Sequence, residues 1–340
     1  MPRLDYDTPF SATDIMSITM LASSVYLVTG LGDSSVVIKA EKKGNKQKEH
    51  MMNTFQVMRV VSPTARIKML EKSEIQALTQ WLNQIRDYAL HDDRETQKLI
   101  SDLGSDLVHT QRVLLKMETM KLATFENNND KASKKIGKAL NAPNGLEDMG
   151  MIIAADMFSG NNDRFDFETV LTPGRGITWN GKQLNYLFNV GNIMINETGE
   201  GAKLVGMDPF HNSTEFADLK LPVNDSWPYK IFHPSTRASL VPYVADLCAW
   251  DLKKVVGKTT GFISRHRLTK DAADRLAVGM NKGADLIESH FKQKYNRPNV
   301  VRPAGLASRA DKAGWTWFTQ GSSPQQLLST LTGNSRRQYN

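Results

Sequence analysis

The sequence has a single cysteine and no long apolar run. Cys248 is the only thiol in 340 residues, which excludes an intrachain disulfide and a zinc site built from several cysteines. The longest apolar stretch, residues 150–158, is interrupted by Asp156 and is far shorter than the roughly 18 apolar residues that suggest a bilayer span. We therefore expect a protein of a reducing compartment with no segment that crosses a membrane.

The N-terminal residues lack the pattern of a secretory signal. They read MPRLDYDTPFSATD, with acids and a proline where a signal peptide has a basic start and an apolar core. The sequence therefore favours a cytoplasmic protein. Delivery into another cell by a secretion route that needs no cleavable signal is compatible with the same residues.

Acidic residues are scarce towards the C-terminus. The whole chain has 43 Lys and Arg against 36 Asp and Glu, a formal net charge of +7. Residues 251–340 contain 16 Lys and Arg against 6 Asp and Glu, so this region carries the entire surplus. A basic surface can contact phosphates, acidic protein or anionic lipid, and a solvated helix face with a basic tail explains the same pattern. We predict no specific nucleic-acid ligand.

The first third of the chain has the pattern of a small antiparallel sheet with helices. Residues 15–20, 25–28 and 35–40 are short β-branched segments separated by turn residues, which predicts three strands joined by tight turns. Apolar residues at helical spacing predict helices over residues 48–61 and 73–89. Residues 112–119 are strand-like.

The rest of the chain predicts helices around a polar loop and a hairpin. Residues 127–145 have the composition of a linker, and residues 147–158 form an apolar helix that stops at a run of turn-forming residues. Further predictions are a glycine-rich loop over residues 172–182, a hairpin from residues 192–195 and 203–207, and helices over residues 244–256 and 270–291.

This order of elements is the layout of a two-lobed kinase. The predicted fold class is α+β, with a small antiparallel sheet in an N-terminal lobe and a mainly helical C-terminal lobe. The corresponding domains are residues 1–120, residues 121–295 and a basic, largely irregular extension over residues 296–340. Transfer of the γ-phosphoryl group of ATP needs four groups. They are a cationic side chain that binds the phosphates, an acidic side chain that holds this cation in place, a group that positions the acceptor hydroxyl, and ligands for Mg²⁺.

A lysine ends the third predicted strand. Residues 36–39 read Val-Val-Ile-Lys, the form of the third-strand lysine whose ammonium pairs with the α- and β-phosphates in kinases. The carboxylate that holds such a lysine projects from the next helix, where Glu49 is best placed. Glu41 lies only two residues after Lys39, and we do not expect it to turn back. An edge-strand lysine without this role is the ordinary alternative.

Two segments are candidates for nucleotide contacts. The turn between the first two strands contains Ser23 and Ser24, whose amides and hydroxyls could meet phosphate oxygens without a glycine-rich motif. Gly30 and Gly32 follow the second strand instead, and we interpret them as hairpin formers. The end of the fifth candidate strand, with residues Met117, Glu118 and Thr119, resembles a hinge whose backbone binds adenine. A solvent-exposed strand end is an equal alternative for these residues.

Three polar residues of the second half are candidates for the catalytic and metal-binding roles. Asp163 follows an apolar helix at a turn, where a carboxylate could orient an acceptor hydroxyl or accept its proton. Asn192 and Asp208 flank the predicted hairpin, which would bring an amide and a carboxylate close enough to share a divalent cation through oxygen ligands. Each signal alone is weak, and a turn or capping role is the common alternative for such residues.

Two motifs resemble the atypical kinases of the actin-fragmin kinase type. Asn161-Asn162-Asp163-Arg164 is similar to the N-x-D-R motif of that family, and residues 189–194, Asn-Val-Gly-Asn-Ile-Met, are similar to its G-N-x-x-N-[LI]-M stretch. The resemblance spans roughly residues 15–212, and the phosphatidylinositol kinases are a more distant match. It implies the following roles: Lys39 on the phosphates, Glu49 as its partner, Asp163 as the catalytic acid, and Asn192 and Asp208 as metal ligands.

The predicted function is an ATP- and Mg²⁺-dependent atypical kinase that phosphorylates a Ser or Thr hydroxyl of a protein. The resemblance allows a cytoskeletal substrate, and the basic C-terminal region allows contact with an anionic surface. One alternative is a phosphatidylinositol-type lipid kinase that uses the same residues. Another is a catalytically inactive kinase fold that acts as a binding module.

Overall fold

A computed structural model describes fifteen stretches of the chain. They are residues 4–32, 34–41, 48–88, 93–109, 112–120, 122–124, 137–159, 161, 164, 178–179, 182–183, 192–196, 203–207, 234–257 and 268–295. The fold is α+β and divides into two compact units. The first comprises Met1–Met52 and Ala65–Met120, and the second comprises Asn53–Thr64 and Lys121–Asn340. The predicted extension over residues 296–340 lies outside the described residues.

The elements follow one another in this order. The strands are β1 (Ser17–Ala22), β2 (Val25–Thr29), β3 (Ser35–Glu41), β4 (Ile67–Met69), β5 (Val113–Glu118), β6 (Leu122–Thr124), β7 (Thr178–Trp179), β8 (Lys182–Gln183), β9 (Ile193–Asn196) and β10 (Lys203–Gly206). The helices are α1 (Lys48–Val61), α2 (Lys72–Tyr88), α3 (Arg94–Val108), α4 (Gly145–Ser159), α5 (Pro234–Gly257) and α6 (Ala272–Tyr295). A short 3-10 helix, Ala12–Asp14, precedes β1.

The first unit is built on a five-stranded sheet in the order β1-β2-β3-β5-β4. Every neighbouring pair is antiparallel, so the three predicted strands and the strand near residues 112–119 are confirmed. Alternate residues of β2 and β3 are completely buried on one face, including Tyr26, Val36 and Ile38. They form one core with apolar residues of α2 and α3. Strand β3 lies inside the sheet, so Lys39 is not on an edge strand, as the ordinary alternative for this residue would have it.

A buried lysine ties the N-terminal segment to this unit. Lys116 and Glu74 are both fully buried, and Nζ lies 2.5 Å from Oε1 of the glutamate. The same Nζ donates to the Thr8 carbonyl at 2.8 Å. Because a buried charge is tolerated only when it is paired and hydrogen-bonded, this arrangement holds the segment around Thr8 against β5 and α2.

The second unit is organised around α4. Residues 149–158 of this helix are apolar except for Asp156, and α4, α5 and α6 share one hydrophobic core with the later residues of α1. Glycines allow α4 and α6 to approach closely, since a Cβ on Gly279 would lie 2.7 Å from the Cα of Glu147 and a Cβ on Gly150 would lie 2.8 Å from the amide nitrogen of Met280. The predicted helix over residues 147–158 is therefore confirmed as a central core element.

A three-stranded sheet in the order β10-β9-β6 completes the described part of this unit. Strands β9 and β10 pair antiparallel, from Asn196 opposite Lys203 to Ile193 opposite Gly206, which confirms the predicted hairpin. On the side facing α1, Ser62 donates its hydroxyl to the Leu204 carbonyl at 3.2 Å. This hydrogen bond links β10, the second strand of the hairpin, to the residue that follows α1.

Three predictions for this unit need correction. Residues 137–141 are helical within the predicted linker, and β7 pairs with β8 within the predicted loop. Helix α5 begins at Pro234 and continues through Pro242, whereas a start after Pro242 was expected. The strands β7 and β8 have two residues each, which is too short for a periodic side-chain pattern in the sequence. Pro242 does not end α5, and it lies on an exposed side of this helix. Among the helices in the described ranges, none is both long and apolar enough to cross a bilayer.

Candidate functional site

Lys39 lies on β3, with β2 on one side and β5 on the other. It is opposite Val25 in one pairing and opposite Leu115 in the other. Its Nζ lies 2.5 Å from Oε1 of Glu41, and the two side chains are only 18% and 13% exposed. The candidate phosphate-binding lysine is therefore held beside a carboxylate on its own strand.

The expectation that Glu41 could not reach Lys39 was wrong. Side chains two residues apart in a strand project from the same face, so Glu41 needs no turn of the backbone to approach the ammonium. Glu49, the expected partner, lies in α1. Its side chain is outside the described residues, so its pairing with Lys39 stays a prediction.

The turn between β1 and β2 consists of Ser23 and Ser24. Ser24 has a φ of 61°, a left-handed conformation that is uncommon for residues with a Cβ. The Ser24 carbonyl accepts a bond from the Ala40 amide at 2.8 Å, so the turn is held against β3 next to Lys39. The other turn, between β2 and β3, contains Gly32 with a φ of 65°, which fits its interpretation as a hairpin former.

The candidate hinge at the end of β5 is tied to its neighbours. The Glu118 amide donates to the Arg66 carbonyl at 2.9 Å, and the Glu118 carboxylate receives two bonds from the Arg66 guanidinium at 3.0 and 3.1 Å. These bonds raise the pKa of Arg66 above its usual value. Thr119 donates its hydroxyl to the Ser35 carbonyl at 2.5 Å, and Met117 is buried. An adenine contact at Glu118 would therefore have to use a group other than its amide.

In the second unit, a buried arginine joins three chain segments that carry the candidate residues. Arg164 is completely buried and its Nη1 pairs with the Asp156 carboxylate on α4. Its Nε donates to the Asn192 carbonyl at 3.0 Å, and its Nη2 donates to the Met207 carbonyl. The Asn161 side-chain amide also donates to Asp156, at 3.2 Å. We call Asp156, Asn161 and Arg164 the arginine cluster.

The hairpin links Asn192 to Met207, which is the chain neighbour of Asp208. The Met207 amide donates to the Asn192 carbonyl at 2.9 Å, so the start of β9 and the end of β10 are directly linked. Asn192 is half-buried. Asp163 and Asp208 lie outside the described residues, but they are the immediate chain neighbours of Arg164 and Met207.

Sequence reasoning gave no role to Asp156 or Arg164, the two charges of the arginine cluster. A signal was present, because Asp156 is the one charged residue in an otherwise apolar helical run over residues 150–158. A charge at such a position must be paired when the helix is buried. Arg164, eight residues later, supplies that partner.

The described residues also bear on metal-binding and thiol chemistry. Within the described ranges, no three or more His, Cys, Asp or Glu side chains group closely enough to hold a metal ion. Cys248 is fully buried in the core of α5. Burial and the charge of Asp251 raise the pKa of its thiol, which disfavours the nucleophilic thiolate and agrees with the interpretation of Cys248 as a core residue.

No protein-family model matches the chain, and no curated protein matches its sequence significantly.

Proposed function

We propose that this protein is an atypical kinase that transfers the γ-phosphoryl group of ATP to a Ser or Thr hydroxyl of a protein, with Mg²⁺ as cofactor. The observation that carries the proposal is the arginine cluster. A single guanidinium binds the carbonyls of Asn192 and Met207, and Arg164 and Met207 are chain neighbours of Asp163 and Asp208. Two segments that lie 28 and 43 residues after Arg164 in the chain are thus hydrogen-bonded to the same buried side chain.

The proposed roles divide between the two units. In the first, the Lys39 ammonium would bind phosphate oxygens of ATP, which suits its place on an interior strand followed by a helix. In the second, Asp163 would accept the acceptor hydroxyl's proton as the hydroxyl oxygen forms its bond to the γ-phosphorus. The bond from that phosphorus to the β–γ bridging oxygen breaks, and ADP leaves. Asp163 keeps the acceptor oriented throughout.

The donor set of Asn192 and Asp208 fits Mg²⁺. Amide and carboxylate oxygens are the ligands that this cation prefers, and it usually binds only one or two carboxylates together with substrate phosphates. The Met207 amide, next to Asp208 in the chain, donates to the Asn192 carbonyl, which supports a shared site for Asn192 and Asp208. When bound, Mg²⁺ would neutralise the charge on the β- and γ-phosphates.

Transfer of radiolabel from γ-labelled ATP tests the proposal. The purified chain is incubated with Mg²⁺ and a mixture of Ser- and Thr-containing proteins, and label in the protein fraction is measured. Asp163→Asn and Asp208→Asn are expected to abolish transfer, because each removes a group needed for the chemistry. Asp246→Asn, on an exposed position of α5, is the matched control and is expected to retain it.

The same assay separates the alternatives. If the label appears only in the phosphatidylinositol of added liposomes, the acceptor is a lipid and not a protein. Nucleotide binding without any transfer, measured as a Mg²⁺-dependent thermal shift with ATP, would contradict the enzymatic role and favour an inactive kinase fold. Full activity in the Asp163→Asn, Asp208→Asn double variant would refute the assigned chemistry.

A further inference from the structure

Strand β3 carries an ion pair whose two members belong to the strand itself. The Lys39 ammonium and the Glu41 carboxylate are 2.5 Å apart and are shielded from solvent on most of their surface. Shielding reduces the competition from water and salt for such an ion pair. The pair therefore differs from an exposed ion pair, which holds its geometry weakly.

The backbone beneath this pair is fixed on both sides. Lys39 and Glu41 lie opposite Leu115 and Val113 of β5, and Lys39 also lies opposite Val25 of β2. Between them, the Ala40 amide bonds to the turn carbonyl of Ser24. The ammonium and the carboxylate therefore project from one strand, whose backbone is paired with β2 and β5 at Lys39 and with β5 at Glu41.

We propose that Glu41 is the carboxylate that positions Lys39 for the phosphates of the nucleotide. This inference rests on the proposed phosphotransferase function and assigns to β3 a role that the resemblance assigns to α1. A nearby carboxylate favours the charged ammonium and fixes the direction of its donors. An ammonium has three donors, so a bond to Glu41 is compatible with bonds to phosphate oxygens. Glu41 is a positioning residue and does not itself touch the nucleotide.

Steady-state kinetics with ATP test this role. Glu41→Gln keeps the shape of the side chain and removes its charge, and it is expected to lower kcat/KM for ATP about ten- to a hundredfold, the scale of a lost interaction with a charged group. Glu41→Asp restores the charge and is expected to recover part of the loss. Glu95→Gln, exposed in the first turn of α3, is the control. Glu49→Gln is expected to lose less than Glu41→Gln, and a larger loss for Glu49→Gln would overturn the inference.

A second measurement does not require catalysis. Lys39 is acylated in the folded protein with an activated ester, and its modification is followed by mass spectrometry at fixed pH. Glu41→Gln is expected to accelerate the labelling of Lys39 severalfold, because loss of the carboxylate disfavours the unreactive ammonium form. The labelling of Lys138, an exposed lysine of the second unit, serves as internal reference. Unchanged labelling of Lys39 would overturn the inference.

The two measurements separate this inference from the proposed function. If the wild type transfers phosphate and the Glu41→Gln variant transfers it equally well, only the positioning role of Glu41 is overturned. A wild-type chain that binds ATP without transferring phosphate would contradict the kinase proposal, and the positioning role would then be judged by whether Glu41→Gln weakens ATP binding. Absence of nucleotide binding in the wild type would overturn both.

Discussion

The Arg164→Met variant tests the arginine cluster as the support of the candidate catalytic segments. Methionine fills a similar volume but removes the ion pair with Asp156 and the bonds to the Asn192 and Met207 carbonyls. Both charged side chains are at most 1% exposed, so water cannot replace the lost partner. Removing one member of a buried ion pair typically costs about 3–5 kcal/mol, because the other charge is left uncompensated. That is a large part of a typical domain stability of about 5–15 kcal/mol.

A matched control is available in the same unit. Arg237 on α5 also makes three bonds, to the Asn281 side chain at 2.8 Å, to the Asn281 carbonyl at 2.5 Å and to Asp285 at 2.9 Å. Its carboxylate partner, however, is 65% exposed, so Asp285 remains hydrated when the arginine is removed. Arg237→Met is therefore expected to cost about 1 kcal/mol or less.

Hydrogen–deuterium exchange followed by mass spectrometry measures the effect within the second unit. Peptides from α4 and from β9 report the opening free energy of this region, which a whole-chain melting curve of two units would not resolve. We expect faster exchange in both peptides for Arg164→Met and nearly unchanged exchange for Arg237→Met. A double variant, Asp156→Asn with Arg164→Met, should exchange more slowly than the Arg164→Met single variant, because the orphaned carboxylate is gone.

The outcome also bears on function. If Arg164→Met alters exchange no more than Arg237→Met, the cluster does not hold the two carbonyls, and the observation on which the kinase proposal depends is lost. If exchange accelerates as expected, phosphate transfer should fall even below the temperature at which the variant unfolds, because the segments next to Asp163 and Asp208 lose their common anchor.

Three further predictions concern packing and ionisation. Gly279→Ala brings a Cβ to 2.7 Å from the Cα of Glu147 and should lower the unfolding free energy by about 1–3 kcal/mol. Gly104→Ala, whose Cβ would have its nearest neighbour at 3.4 Å, should raise the unfolding free energy or leave it unchanged. Equal urea midpoints for the two variants would contradict this prediction. Burial raises the pKa of Asp148, so its ionised form is disfavoured in the folded state, and Asp148→Asn should raise the urea midpoint at pH 7. That gain should vanish as the pH falls to the ordinary aspartate value near 4, and a gain that persists there would refute the assigned cause. Cys248, buried with a raised thiol pKa, should resist a thiol reagent in the native protein and react fully in urea; rapid native labelling would place it outside the core.

The elements of the fold could be predicted where their pattern is local. The alternation of β-branched residues marks β1, β2 and β3, and the helical spacing of apolar residues marks α1 and α2. Strand β4 has only three residues and offers no such pattern. Helix α3 was not predicted, although Leu99, Ile100 and Leu103 follow a helical spacing and Asp93 caps its first turn. The hydrogen bond to Thr96 lowers the pKa of this capping carboxyl, as expected for a helix N-terminus.

The candidate site could be predicted only in its residue types. Lysine at the end of β3 and polar residues around the β9–β10 hairpin follow from the sequence pattern. The ion pair between Lys39 and Glu41 did not, because it depends on which strand face is shielded and not on distance along the chain. Asp163 and Asp208 lie outside the described residues, and their roles stay predictions.

The sequence by itself determined the order and the type of most elements, since strand and helix periodicities reflect interactions between residues a few positions apart. The tertiary structure alone decided which charges are buried and with what. Lys116 meets Glu74 from 42 residues away, and Arg164 meets carbonyls 28 and 43 residues away. A charged side chain is stable in a protein interior only when it is paired or hydrogen-bonded. For Lys116 and Arg164 these partners are far away in the chain and come into contact only when the chain folds.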